Sequence, residues 1–172
     1  IALGAAIYAT KKHADNLNPN QRAAVQDLDL EEVANKYYGT FAFDHLSGSG
    51  KVNSILIEKD TKIPCTVTRE YQTLHDGQET IDCEITECSV YESSPEFVYV
   101  QWEGTLDLPP GRPAGMPVHV TYSYNSNQTM DCEFHDLDSG RKLSQTLEMS
   151  ASRKENKGNS DEVDDIEKFI ID

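Results

Sequence analysis

Apolar and polar residues alternate in several short runs of this chain, which turn-forming residues separate. Within Glu79–Cys88, the side chains of Ile81, Cys83 and Ile85 fall on one face of an extended strand, and polar residues fall on the other. The run Val118–Tyr124 alternates in the same way. A strand with one apolar and one polar face is typical of antiparallel sheets, so this pattern restricts the chain to folds built on such sheets.

Turn sequences such as Asp76-Gly77 and Asp138-Ser139-Gly140 divide this region into eight predicted strands. We therefore predict a mainly β fold, an eight-stranded antiparallel β-sandwich with short flanking helices. The predicted strands are Tyr37–Asp44, Val52–Glu58, Cys65–Leu74, Glu79–Cys88, Phe97–Glu103, Val118–Tyr124, Thr129–His135 and Leu143–Met149.

Four zones follow one another along the chain. We predict an alanine-rich helix in residues 1–14, a polar connector in residues 15–34, the β region in residues 35–150, and a charged tail that becomes amphipathic in residues 151–172. Because Ile1 reads as the middle of a helix, we expect both ends to be cut from a longer chain. The tail helix carries an apolar stripe of Val163, Ile166, Phe169 and Ile170.

The charge of the chain argues against two classes of partner. Its formal net charge is −15, with 30 acidic residues against 15 basic ones. Such a surface repels phosphate backbones and anionic lipids, so neither nucleic acid nor a membrane surface is expected as a partner. No apolar run approaches the roughly 20 residues that span a bilayer.

The four cysteines occur without a CxxC pair or a histidine at ligand spacing, so no metal site is predicted. We expect buried, reduced thiols in a cytoplasmic protein. The even count leaves a disulfide possible, although Cys83 and Cys88 fall on opposite faces of one strand.

Catalytic motifs are also missing from the sequence. The five histidines are scattered, and no HExxH, GxSxG, P-loop or GxGxxG pattern occurs. Ser47-Gly48-Ser49-Gly50 joins two strands and leads into no helix, so we interpret it as a hairpin loop rather than a phosphate cradle. We therefore expect no enzyme activity from this chain.

Five segments occur in a characteristic order and spacing. They are Ile1–Ala9 (IALGAAIYA), Tyr71–Ile85 (YQTLHDGQETIDCEI), Gly115–Pro117 before VHVTYSY, Asp136–Lys142 (DLDSGRK) and the tail helix Ser160–Asp172. Together they resemble the seventy-kilodalton heat-shock chaperones, the DnaK family. The matches run from the end of that family's ATPase domain, through its substrate-binding domain, to the start of its lid.

The resemblance implies a sandwich of the chaperone peptide-binding type, with a groove that holds an extended, apolar stretch of an unfolded polypeptide. Ile81 falls on the floor of the central pocket, and Phe43 and Leu74 fall where the family forms an arch over the peptide. The residues that the resemblance places in the groove are Thr40, Phe41, Phe43, Tyr71, Leu74, Ile81 and Cys83.

Alternation alone gives a different interpretation for part of this set. Ile81, Cys83 and Tyr71 alternate like ordinary sandwich core. Phe43 and Leu74 instead border polar loops, where apolar side chains more often mark binding. These two are therefore the stronger candidates.

The resemblance also implies partners beyond the peptide. Leu28, Leu30 and Val33 correspond to the family's interdomain linker, although acidic residues interrupt its usual leucine run. The full-length protein would be a cytoplasmic stress-response chaperone that binds ATP and Mg²⁺ in its own ATPase domain, and would act with a J-domain co-chaperone and a nucleotide exchange factor. This fragment would need no cofactor, and its terminal helices, exposed by truncation, would favour self-association.

Two alternatives remain open at the level of sequence. The sandwich could be an interaction module with one dedicated protein partner. It could also be an extracellular carbohydrate-binding domain, which would need an exposed aromatic platform made from Tyr91, Tyr99 and Trp102.

Overall fold

The computed structural model describes residues 31–44 and 50–149, together with residues 10, 13 and 18–20. The prediction of a mainly β fold with antiparallel sheets is confirmed. The helices predicted at both ends fall outside the two continuous ranges. The described strands are β1 (Glu32–Val33), β2 (Tyr37–Asp44), β3 (Gly50–Ile57), β4 (Lys62–Ile63), β5 (Cys65–Gln72), β6 (Thr80–Cys88), β7 (Tyr99–Asp107), β8 (Pro117–Tyr124), β9 (Thr129–Asp136) and β10 (Lys142–Glu148).

These strands form two four-stranded antiparallel sheets. The first sheet has the order β3-β2-β6-β7, and the second has the order β10-β9-β8-β5. A short 3₁₀ helix, Pro95–Phe97, precedes β7. We call the end of the molecule where β2 ends and β6 begins the upper end. Loops 73–79, 108–116 and 137–141 lie at this upper end, and the loop between β6 and β7 lies at the lower end.

The sequence reading missed β1 and β4, so the described part has ten strands rather than eight. Each is only two residues long, and they pair with each other. Two residues are too few for alternation to reveal a strand. In β1, Val33 is exposed, and the adjacent Ala34 is fully buried, with its N–H donated to the carbonyl of Thr61 at 2.8 Å. The last part of the predicted connector is therefore packed against the sheets, whereas Leu28 and Leu30 lie outside the described residues.

One hydrophobic core lies between the two sheets. The Tyr122 hydroxyl of the second sheet donates a 2.7 Å hydrogen bond to the carbonyl of Gly39 in the first. Trp102 of β7 stacks on Phe134 of β9, with ring centroids 6.3 Å apart. These contacts join the sheets face to face. Core side chains include Tyr38, Ile57, Ile85 and Leu106 from the first sheet and Val120, Tyr122, Met130 and Phe134 from the second.

All four cysteines are free, and three of them are buried. Burial raises the pKa of the Cys83 thiol to about 12, and burial likewise raises the pKa of Cys132 strongly. Cys65 is only partly buried. Because the thiolate is the reactive form, a thiol with a raised pKa and no access to solvent reacts slowly at pH values below that pKa.

We expect a thiol reagent at about pH 8 to label Cys65 first and to leave Cys83 and Cys132 unmodified in the folded protein. Peptide mapping after timed alkylation would measure the order. A Cys65→Ser variant should lose the fast phase, and denaturant should make every thiol reactive. Early labelling of Cys83 would contradict this expectation.

Candidate binding groove

The first sheet opens along its middle. In the described part, β2 pairs with β6 only where Tyr37–Gly39 lie opposite Thr86–Cys88. Above these three residue pairs, β2 continues beside β3 as far as Asp44, and β6 continues beside β7. The two central strands therefore separate towards the upper end and leave a gap in the sheet.

A cavity of ≈ 870 Å³ occupies this gap and continues between the two sheets. Its volume lies within the range typical of small-molecule and peptide side-chain pockets. One wall comes from β2, the other from β6 and the loop before it, and the floor comes from the second sheet. Its main apolar lining residues are Phe41, Phe43, Leu74, Ile81, Val118 and Phe134.

Six of the seven residues that the resemblance placed in a groove line this one cavity. They are Thr40, Phe41, Phe43, Tyr71, Leu74 and Ile81. Cys83 does not line it, because its side chain is 0 % exposed and belongs to the core. Ile81 and Cys83 lie on the same face of β6. Cys83, however, is two residues further from the upper end and packs in the core between the sheets. The structure therefore places Cys83 in the core rather than in the cavity lining.

Phe43 and Leu74 flank the cavity mouth from opposite walls. Phe43 is 52 % exposed at the upper end of β2, and Leu74 is 37 % exposed in the loop before β6. The Leu74 N–H donates to the side-chain oxygen of Gln78 at 2.8 Å, so this loop folds back on itself. Two large, exposed apolar side chains at the mouth of a cavity form a surface suited to binding.

Tyr71 links the floor of the cavity to the first sheet. Its hydroxyl and that of Ser54 on β3 share a 2.9 Å hydrogen bond. Burial raises the pKa of Tyr71, and the hydrogen bond with Ser54 opposes that change only in part. The tyrosine is therefore neutral at physiological pH and adds a fixed polar group to a largely apolar floor.

The loop that carries Leu74 is held by the neighbouring loop 108–116. The Gly77 N–H donates to the carbonyl of Arg112 at 2.7 Å, and the Ala114 N–H donates to the carboxylate of Asp76 at 2.8 Å. Thr73 exchanges backbone hydrogen bonds with Met116 and Gly115. The wall that presents Leu74 is therefore preorganised by backbone contacts rather than left free.

Arg112 is in turn anchored to the end of β9. Its guanidinium makes two hydrogen bonds to the Asp136 carboxylate, at 2.6 and 2.9 Å. Burial alone would raise the pKa of Asp136, but the hydrogen bonds from Arg112 and Ser139 outweigh it and hold that pKa below its ordinary value. The sequence analysis did not single out Arg112, since a pair 24 residues apart leaves no local signal.

The aromatic platform of a carbohydrate-binding domain does not assemble. Tyr91 and Tyr99 are exposed, but Trp102 faces inward and stacks on Phe134. Among the residues that the structure describes, no group of His, Cys, Asp or Glu side chains could hold a metal ion. In the same residues, no helix has the length and apolar character needed to cross a bilayer.

No known protein-family model matches this chain. Membership of the DnaK family therefore stays a proposal.

Proposed function

We propose that this chain binds extended, apolar segments of unfolded polypeptides in the gap between β2 and β6, as the substrate-binding domain of a DnaK-type chaperone. The observation that carries the proposal is the separation of these two central strands directly over a cavity that several large apolar side chains line. An extended peptide beside a strand edge gains main-chain hydrogen bonds whatever its sequence, and a pocket beneath it selects a side chain.

The apolar lining supports an aliphatic side chain as the selected group. Burying a leucine side chain contributes roughly 1.5–3 kcal/mol, enough to dominate the affinity of a short peptide. Phe43 and Leu74 stand where they would cover the peptide backbone on either side. The lining also includes the carboxylates of Glu70, Glu79 and Asp82, which favour basic residues flanking the apolar one.

Release of the bound peptide would be controlled only in the full-length protein. There, an ATPase domain that binds ATP and Mg²⁺ would drive opening of the groove, with a J-domain co-chaperone and a nucleotide exchange factor setting its cycle in the cytoplasm. The chain described here would bind peptide and would not hydrolyse ATP.

Fluorescence anisotropy with labelled peptides tests the proposal. We expect a leucine-rich peptide to bind and a scrambled polar peptide of equal length and charge not to bind. Phe43→Ser should weaken leucine-peptide binding about fivefold, because about 40 Å² of apolar contact contributes ~1 kcal/mol. Equal affinity for both peptides in a folded sample would rule out the groove.

The matched control is Phe97→Ser, which removes an equally large exposed aromatic from the lower end of the molecule.

The Phe97→Ser variant also tests a second candidate function, an interaction module with one protein partner. Val90, Tyr91, Phe97 and Tyr99 are exposed apolar side chains on the connection between β6 and β7 and at the start of β7, and none of the four lines the cavity. Peptide binding that falls with Phe97→Ser but not with Phe43→Ser would favour that alternative.

A further inference from the structure

One ion pair crosses the gap between the two walls of the groove. Lys51 lies on β3, opposite Phe43 of β2, and Glu84 lies on β6. The Lys51 ammonium reaches over the ring of Phe41, at 4.3 Å from its centroid, and contacts the Glu84 carboxylate at 2.9 Å. All four side chains line the cavity.

A similar bridge lies two residues lower on each strand. There, the Thr86 hydroxyl donates a 2.6 Å hydrogen bond to the side-chain oxygen of Asn53, and both residues are buried. The bridge passes over Gly39, where a Cβ atom would lie 3.0 Å from the Asn53 oxygen. At this level the backbones of β2 and β6 are still paired, so the Asn53–Thr86 bond reinforces a join that already exists.

The Lys51–Glu84 pair lies just above the last of these backbone pairs. It joins the walls where main-chain pairing between β2 and β6 has ended. The Glu84 side chain is 11 % exposed and the Lys51 side chain is 43 % exposed, so water screens the pair from the lysine side only. Lys51 is also the only Lys or Arg among the residues that line the described cavity, so no other lining cation of that kind can replace it.

We infer that the Lys51–Glu84 pair ties the two walls together and limits the size of the ligand side chain that the groove accepts, favouring leucine over tryptophan. This inference rests on the proposed peptide-binding function. Lys51 and Glu84 act here as specificity-determining residues: with the tie in place the upper part of the gap has a fixed width, and without it β2 and β6 can move apart to admit a bulkier ring.

Two peptides that differ only in a central leucine or tryptophan test the inference by anisotropy titration. Wild-type protein should prefer the leucine peptide. Lys51→Met keeps the aliphatic stem over Phe41 and removes the charge, and should reduce that preference about fivefold, as expected for loss of a ~1 kcal/mol tie. The charge-reversed double variant, Lys51→Glu with Glu84→Lys, should restore the preference to within about twofold of wild type.

Lys142→Met is the matched control. Lys142 pairs with Glu133 at 3.0 Å between β10 and β9, outside the cavity, and its loss should leave the preference unchanged. A preference that survives Lys51→Met, or one that the charge-reversed variant fails to restore, would overturn the inference.

Hydrogen exchange separates this inference from the proposed function. In peptide-free protein, the backbone amides of residues 40–43 and 82–85 should exchange faster in Lys51→Met than in wild type or Lys142→Met. Unchanged exchange would overturn the tie even if peptides bind. Faster exchange in a protein that binds neither peptide would support the tie, but would overturn the proposed function and the ligand-size limit together.

Discussion

Replacing Ile81 by tryptophan is expected to weaken binding of the leucine peptide at least tenfold, a loss of about 1.4 kcal/mol or more. Ile81 is partly buried on the inner face of β6, where it lines the cavity. An indole at this position would fill the space that the side chain of the peptide would otherwise enter. The measurement is a titration of the labelled leucine peptide against the folded variant.

Leu147→Trp is the control for the added bulk. Leu147 is likewise a partly buried apolar residue packed against the core, but it lies on β10 and does not line the cavity. Both variants carry an overpacking cost of about 1–3 kcal/mol, so thermal unfolding has to show that each is folded at the temperature of the titration. Wild-type affinity in folded Ile81→Trp would place the ligand elsewhere.

Replacing Asp136 by alanine is expected to lower the free energy of unfolding by about 3–5 kcal/mol, the usual effect of removing one partner from a buried ion pair. Asp136 is fully buried, and the side chain of Arg112 is 10 % exposed. Without Asp136, Arg112 keeps only the more distant, exposed Asp138, at 3.5 Å. Urea denaturation would measure the loss.

Asp131→Ala provides the comparison on the same strand. Asp131 is exposed and accepts a hydrogen bond from Thr146 at 2.6 Å, so its loss should cost no more than about 1 kcal/mol. Equal losses in the free energy of unfolding would mean that the buried Arg112–Asp136 pair stabilises the fold no more than an exposed hydrogen bond does.

The same pair predicts a dependence on pH. Because the folded-state pKa of Asp136 lies below its ordinary value of 3.8, the ionised carboxylate stabilises the fold above that value, and this contribution is lost as the pH falls through the lower folded-state pKa. The difference in stability between wild type and Asp136→Ala should therefore be largest near neutral pH and shrink below about pH 4. A difference that stays constant on acidification would contradict the assignment.

The strands were predictable because alternation is a local signal. A half-buried strand must place apolar side chains on every second position, and Gly, Pro, Asn and Asp must mark the turns. The predicted Tyr37–Asp44 coincides with β2, and Val118–Tyr124 differs from β8 by one residue. The pairing of Glu32–Val33 with Lys62–Ile63 left no such signal, since neither run is long enough to alternate.

The groove was only partly predictable. Phe43 and Leu74 could be singled out because large apolar residues beside polar loops are seldom core, and both line the cavity. Cys83 could not be separated from Ile81, because both lie on the same face of one strand and only the distance from the upper end distinguishes them.

By itself, the sequence determined where the longer strands of this protein form and where they turn, because these depend on neighbours along the chain. The tertiary structure alone decided that β2 and β6 separate after three residue pairs. It alone also brought Arg112 to Asp136 and Lys51 to Glu84, residues 24 and 33 positions apart. The Arg112–Asp136 contact forms only after the two sheets pack face to face, and the Lys51–Glu84 contact forms only after β3, β2 and β6 assemble into one sheet. Both contacts shape the groove that we propose as the binding site.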